Sequence, residues 1–161
     1  MQYNYNHIFL ENRQISNTSA IRWSCFTAMV IGIAWIFTLF HIISVPALAF
    51  QIIAPVSIFI LLLPAVVNHL MHLSDILLVG SKGINLLTGL ILGCNLTAVF
   101  LLSSTLSHYA SIIWLLPTLI ACQYYSKRIT SHIFWGGLAG MILSFYASIY
   151  LSSKDMNLSA L

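Results

Sequence analysis

Long apolar stretches without any charge alternate with short polar segments along this chain of 161 residues. Residues 23–74, 83–126 and 129–153 contain no Asp, Glu, Lys or Arg. A helix needs about 20 apolar residues to cross the hydrocarbon core of a bilayer. The first two stretches are long enough for two crossings each, and the third for one. The pattern therefore predicts an all-α fold, a polytopic transmembrane bundle of five membrane-spanning helices.

The predicted helices cover residues 23–45, 47–69, 83–104, 109–125 and 131–152. A polar segment, residues 1–22, precedes this transmembrane domain (23–152), and a short tail, 153–161, follows it. Pro46 separates the first two helices, because proline lacks the backbone donor that a helix interior needs. Residues 44–49 resemble a signal-peptidase site, but the preceding apolar run exceeds the usual length of about 7–15 residues. We interpret them as a helix–turn–helix corner.

Composition and charge agree with this class. Hydrophobic residues make up 60% of the chain and charged residues 6%, whereas soluble domains carry about 25% charged residues. Loops on the cytoplasmic side of a membrane are enriched in Lys and Arg. This rule predicts a cytoplasmic N-terminal segment, and we expect the membrane to be a bacterial inner membrane or its organellar equivalent. In this orientation the cytoplasmic side holds five of the six basic residues, Arg13, Arg22, Lys82, Lys127 and Arg128, and the other side holds only Lys154.

Rows of small residues indicate where helices pack. Lipid tails are as apolar as leucine, so helices associate in a bilayer through close packing of small side chains. Two rows with a spacing of four residues meet this condition: Gly136, Gly140, Ser144 and Ser148 in the last helix, and Gly89, Gly93 and Thr97 in the third. They pack within the bundle or against another subunit. The expected partners are other membrane helices and lipid; the scattered basic residues form no patch for nucleic acid.

Two polar residues at membrane depth are candidates for a solute pathway, Gln51 in helix 2 and Asn95 near the middle of helix 3. Asn95 has a simpler interpretation, a hydrogen bond between helices. No Asp, Glu, Lys or Arg lies near a predicted bilayer centre. Ion-coupled transporters and proton pumps place ionisable groups there, so the absence disfavours those two classes.

Histidines supply the only ligand chemistry. His69 and His72 are three residues apart on one helix face, and Asp75 continues that row. With His132 they form a candidate transition-metal site, since imidazole and carboxylate ligate such ions. Haem iron ligated by two histidines is the other possibility. His41 and His108 would form an outer pair, and His69 or His72 with His132 an inner pair. All these histidines lie near helix ends, where histidine is also an ordinary interfacial residue.

Catalysis has little support, because the chain contains no HExxH, GxSxG or GxGD motif and no paired carboxylates. The three cysteines show no CxxC spacing. The first hypothesis is therefore a non-enzymatic helical subunit of a transport-type or other multi-subunit membrane assembly. The alternatives are a histidine-ligated metal or haem b protein, serving electron transfer or metal transport, and a small-solute channel.

Overall fold

The computed structural model describes residues 2–40, 42, 47–73, 81–106, 114–124 and 126–158. Side chains are described within these ranges except at 2–9, 47–49, 73, 81, 106, 115, 147, 148 and 150–158. This part of the chain contains five helices: α1 (Gln2–Leu39), α2 (Ala47–Leu73), α3 (Ser81–Leu106), α4 (Leu115–Cys122) and α5 (Lys127–Leu158). The predicted all-helical fold is confirmed.

Three of these helices are long and apolar enough to cross a membrane. The stretches are Leu10–Leu39 in α1, Phe50–His72 in α2 and Lys82–Thr105 in α3. Each exceeds the about 20 residues that a crossing needs. These helices indicate a membrane protein, as the charge pattern predicts.

The observed bounds of α2 and α3 lie within four residues of the predicted ones. Helix α4 has 8 residues, fewer than predicted, and residues 107–113 before it lie outside the described part. Helix α5 has 32 residues and extends beyond the prediction at both ends. The Pro46 corner and the 44–46 part of the signal-peptidase-like stretch are also outside the described residues.

Helix α1 differs most from the prediction, because it begins at Gln2 and runs for 38 residues. Residues 2–22, which belong to the predicted polar N-terminal segment 1–22, are helical and continuous with the apolar part of α1. Residues 2–31 contain no glycine or proline, the two residues that disfavour a helix interior most strongly. The polar side chains in this part also find partners on other helices, as shown below.

Helix α3 lies at the centre of the bundle. In the most apolar part of α3, 56% of the residues are buried, whereas the values for the corresponding parts of α1 and α2 are 22% and 28%. It contacts α1, α2, α4 and α5. The largest core cluster joins four helices through Ala20 and Ile21 of α1, Leu87, Ile91 and Leu92 of α3, Ile120 and Ala121 of α4, and Ile133 of α5.

The outer surface of the bundle is strongly apolar. Phe59 of α2 is 70% exposed, and Trp135 and Tyr146 of α5 are 63% and 67% exposed. Many further aliphatic side chains on α1, α2 and α5 face outward in the same way. An exterior with so many exposed large apolar side chains is unfavourable in water and is typical of a surface that meets lipid or other protein.

Candidate functional site

The histidines predicted as ligands lie on the exterior where they are described. His69 and His72 are exposed near the end of α2, and His132 is exposed near the start of α5. Asp75, His41 and His108 lie outside the described residues. Among the residues that the structure describes, no group of three His, Cys, Asp or Glu side chains is placed to hold a metal ion. The metal and haem sites therefore stay predictions.

Asn95 is completely buried in α3 and bonds to α1. Its side-chain Nδ2 donates to Ser24 Oγ at 2.8 Å and to the backbone oxygen of Ile91 at 2.8 Å. Ser24 Oγ in turn donates to the backbone oxygen of Ala20. This is the bond between helices that the simpler interpretation of Asn95 expects. Its Oδ1 has no hydrogen-bond partner among the described residues.

Gln51, the second pathway candidate, is half-buried in α2. Its backbone oxygen accepts a hydrogen bond from Trp35 Nε1 at 3.2 Å. Trp35 is also half-buried and packs beside Phe50, Ala54 and Leu102. The indole thus joins α1 to α2, and the pathway role of Gln51 stays a prediction.

The small-residue row of α5 is turned partly inward. Ser144 is buried and Gly140 half-buried, whereas Gly136 is exposed and the Ser148 side chain lies outside the described set. Gly140 lies against the buried indole of Trp114, the residue before α4. A Cβ added to Gly140 would come within 2.8 Å of Trp114 Cζ3 and still closer to Cη2. Glycine is therefore required here, because it leaves room for the ring.

The small-residue row of α3 lies on the exterior. Gly89, Gly93 and Thr97 are all exposed, and a Cβ at either glycine would meet none of the described residues within 4 Å. The opposite face of the helix carries the buried core residues Ile91, Asn95 and Ala98. The row is thus an unoccupied strip on the apolar exterior.

A polar cluster around Asn17 was not predicted from the sequence. Asn17 is 2% exposed, and its Nδ2 donates to the backbone oxygen of Ile84 in α3 at 3.3 Å. Its Oδ1 accepts from Tyr124 Oη at 2.8 Å and lies 3.0 Å from Thr88 Oγ1. One side chain therefore connects α1, α3 and the turn between α4 and α5.

Two further contacts hold the polar half of α1 to the same helices. Arg13 donates through Nη1 to Asn85 Oδ1 of α3. Ser16 Oγ lies 3.1 Å from the backbone oxygen of Gln123 after α4. The sequence carries a signal for this face: Asn17, Ala20, Ser24 and Ala28 follow helical spacing and are all buried. Small and polar residues continue across the predicted boundary at residue 22 without a change of register.

No family model matches the chain, and no match was found among curated proteins or solved structures.

Proposed function

We propose that this chain is a non-enzymatic helical subunit of a transport-type or other multi-subunit membrane assembly. The observation that carries the proposal is the strip on α3 formed by Gly89, Gly93 and Thr97. Small residues on an apolar exterior allow the backbone of another helix to approach closely. A second helix can pack closely along this strip and gain van der Waals contacts, whereas lipid chains gain no comparable packing there.

The proposed topology has five crossings with a cytoplasmic N-terminus, in a bacterial inner membrane or its organellar equivalent. Helices α1, α2 and α3 supply three crossings. The other two proposed crossings are α5, with 32 residues, and the segment 109–125 predicted from the sequence, of which the structure describes 114–124. The orientation rests on the positive-inside rule, because five of the six basic residues then share one side.

Mild detergent extraction and mass spectrometry of copurifying proteins test the subunit proposal. We expect Gly93→Leu to reduce the recovery of partner chains at least several-fold, because the leucine separates the two backbones. Val66→Phe, which adds volume to an exposed position on α2, serves as the control and should leave recovery unchanged. Equal recovery with both variants, or a wild-type protein that purifies alone, would count against the proposal.

The same purified sample tests the histidine alternative. A haem ligated by histidine has a Soret absorbance band, which His69→Ala or His132→Ala would abolish if either residue is a ligand. The subunit proposal expects a colourless sample without bound transition metal.

A further inference from the structure

Arg22 is a charged residue on the apolar exterior of α1. It lies within the apolar stretch Leu10–Leu39 and is exposed. Ile15 lies seven residues before it, and Phe26 and Met29 lie four and seven residues after it. This spacing places all four residues on one helix face. The three apolar side chains are 63%, 53% and 55% exposed, so the guanidinium has apolar neighbours on both sides along the helix.

The depth of Arg22 follows from the register between α1 and α3. Asn17 and Ser24 of α1 each form a hydrogen bond with the α3 residue that lies 71 positions later in the chain. A constant separation means that the two helices run side by side in the same direction. Arg22 is therefore level with Gly93, which is at the middle of the apolar stretch Lys82–Thr105 of α3. The sequence places Arg22 at the cytoplasmic end of the first predicted crossing, whereas this register places it deeper.

Arg22 is too deep to carry its charge to the cytoplasmic surface by itself. Gly93 lies eleven residues after Lys82, which corresponds to about 16 Å along the helix axis. Long basic side chains near helix ends extend to the membrane surface, but this distance is roughly twice the length of an extended arginine side chain. The proposed orientation does not depend on Arg22, because four of the other five basic residues still share one side.

No acidic side chain that the structure describes lies level with Arg22. Glu11 is the only acidic residue among the described side chains, and it lies eleven residues earlier, about three turns away in the same helix. Asp75 and Asp155 lie outside the described side chains. In a two-fold dimer whose chains share one orientation in the membrane, equivalent residues lie at equal depth. The described side chains of a second copy therefore place no carboxylate opposite Arg22.

The face of α1 around Arg22 and the α3 strip lie on opposite sides of these two helices. Ser24 faces α3 and Asn95 faces α1, because their side chains bond to each other. Arg22 and Gly93 each precede one of these residues by two positions, which turns a side chain by about 200° around the helix axis. A helix that packs on one of the two surfaces therefore does not occupy the other.

We propose that the exposed face of α1 around Arg22 binds a membrane helix of a different protein, and that this helix carries an Asp or Glu side chain at the depth of Arg22. Charged residues inside a membrane occur paired with one another, and a guanidinium can donate two parallel hydrogen bonds to one carboxylate. Ile15, Phe26 and Met29 pack against the same helix. The inference goes beyond the function proposed above, because it concerns a second surface and specifies the chemistry of the partner.

A synthetic membrane-spanning peptide of leucine and alanine with one central glutamate is the probe. Its binding to the full-length chain in lipid vesicles is measured by fluorescence energy transfer, in parallel with the same peptide carrying a central glutamine. We expect the glutamate peptide to bind about tenfold or more tightly, and Arg22→Gln to remove this difference. Equal binding of the two peptides to the wild-type chain, or no binding of either, would overturn the proposal.

Arg128→Gln is the matched control, because it removes the same charge from an exposed position at the start of α5. It should bind the glutamate peptide within about twofold of wild type. Exchange of the charges tests the pair directly. Arg22→Glu should lose the glutamate peptide and bind a peptide with a central lysine instead. A variant that still prefers the glutamate peptide would contradict a direct pair.

Gly93→Leu separates this inference from the function proposed above. It changes the α3 strip on the opposite side, so it should bind the glutamate peptide as wild type does while it loses the partners of the strip. Energy transfer between two labelled copies of the chain tests the alternative occupant. A signal between copies that Arg22→Gln abolishes would assign the face to a second copy and overturn its assignment to a different protein.

Discussion

Single residues in this bundle carry well-defined structural tasks, and Gly140 is the clearest case. A Cβ added at Gly89, Gly93 or Gly136 would meet no described residue within 4 Å, and one at Gly137 would make only an ordinary contact with Trp114. Gly140 differs because the indole of Trp114 occupies the space that a Cβ would fill. The requirement for glycine therefore comes from one tertiary contact.

We predict that Gly140→Ala destabilises the fold by about 1–3 kcal/mol, the usual effect of overfilling a packed site. Gly136→Ala is the control, because both variants gain the same helix propensity from alanine and only Gly140 has a close neighbour. Unfolding of the two proteins in mixed micelles, monitored by tryptophan fluorescence, measures the difference. Equal stability would show that the ring of Trp114 does not rest on Gly140.

Asn17 is the second residue with a specific structural role, because its side-chain amide connects α1 to α3 and to the turn after α4. Asn17→Ala removes its hydrogen bonds to Ile84 and Tyr124 and leaves buried polar groups without partners, which we expect to cost roughly 1–3 kcal/mol. Gln14→Ala, an exposed position on the same helix, should change the stability by less than about 0.5 kcal/mol. The same unfolding assay compares them. A neutral Asn17→Ala would contradict the role assigned here.

At the scale of whole helices, α1 shows how polar residues can continue a membrane helix. Its first half contains Asn, Gln, Ser and Arg, a composition that predicts a separate surface segment. In the structure three of these residues, Arg13, Ser16 and Asn17, bond to α3 and to the turn after α4. Neighbouring helices supply partners for these polar groups, which is compatible with a helix that continues through this part of the chain.

We predict slow hydrogen exchange in residues 13–22, comparable to that of the apolar half of α1. Backbone amides within a packed helix exchange only through local unfolding, whereas an unstructured surface segment exchanges within seconds. Exchange mass spectrometry of peptides from the micelle-embedded protein measures this. Rapid exchange up to residue 22, with protection only afterwards, would support the separate segment instead.

The whole molecule is organised around α3, which contacts four other helices. Its buried face forms the core, and its small-residue strip remains open on the exterior. The function proposed above assigns this strip to another membrane helix.

The proposed topology of five crossings puts the two ends of the chain on opposite sides of the membrane. We expect a reporter fused before Met1 to be active only in the cytoplasmic compartment and one fused after Leu161 only outside it. Each fusion site is tested with two reporters, one that is active only in the cytoplasm and one that is active only outside it, so that the two readings control for each other. Two ends on the same side would rule out an odd number of crossings.

The membrane class and the helices α2 and α3 were predictable from the chain alone. Hydropathy and the absence of charge are properties of consecutive residues, and a helix that crosses lipid satisfies its own backbone. Which face of α2 and of α3 points to the interior of the bundle was not predictable, since both helices are apolar on all sides. The candidate histidines illustrate the same limit, because spacing placed His69 beside His72 but not relative to His132.

The contacts that give this bundle its internal geometry join residues far apart in the chain. Asn95 and Ser24 are separated by 71 positions, and Tyr124 and Asn17 by 107. Local pattern contains no information on such pairs, because each depends on which faces meet after the helices associate. Sequence thus determined the membrane class and the helices α2 and α3. Tertiary packing decided which polar residues are buried, which glycine lies against an indole and which small-residue row is exposed.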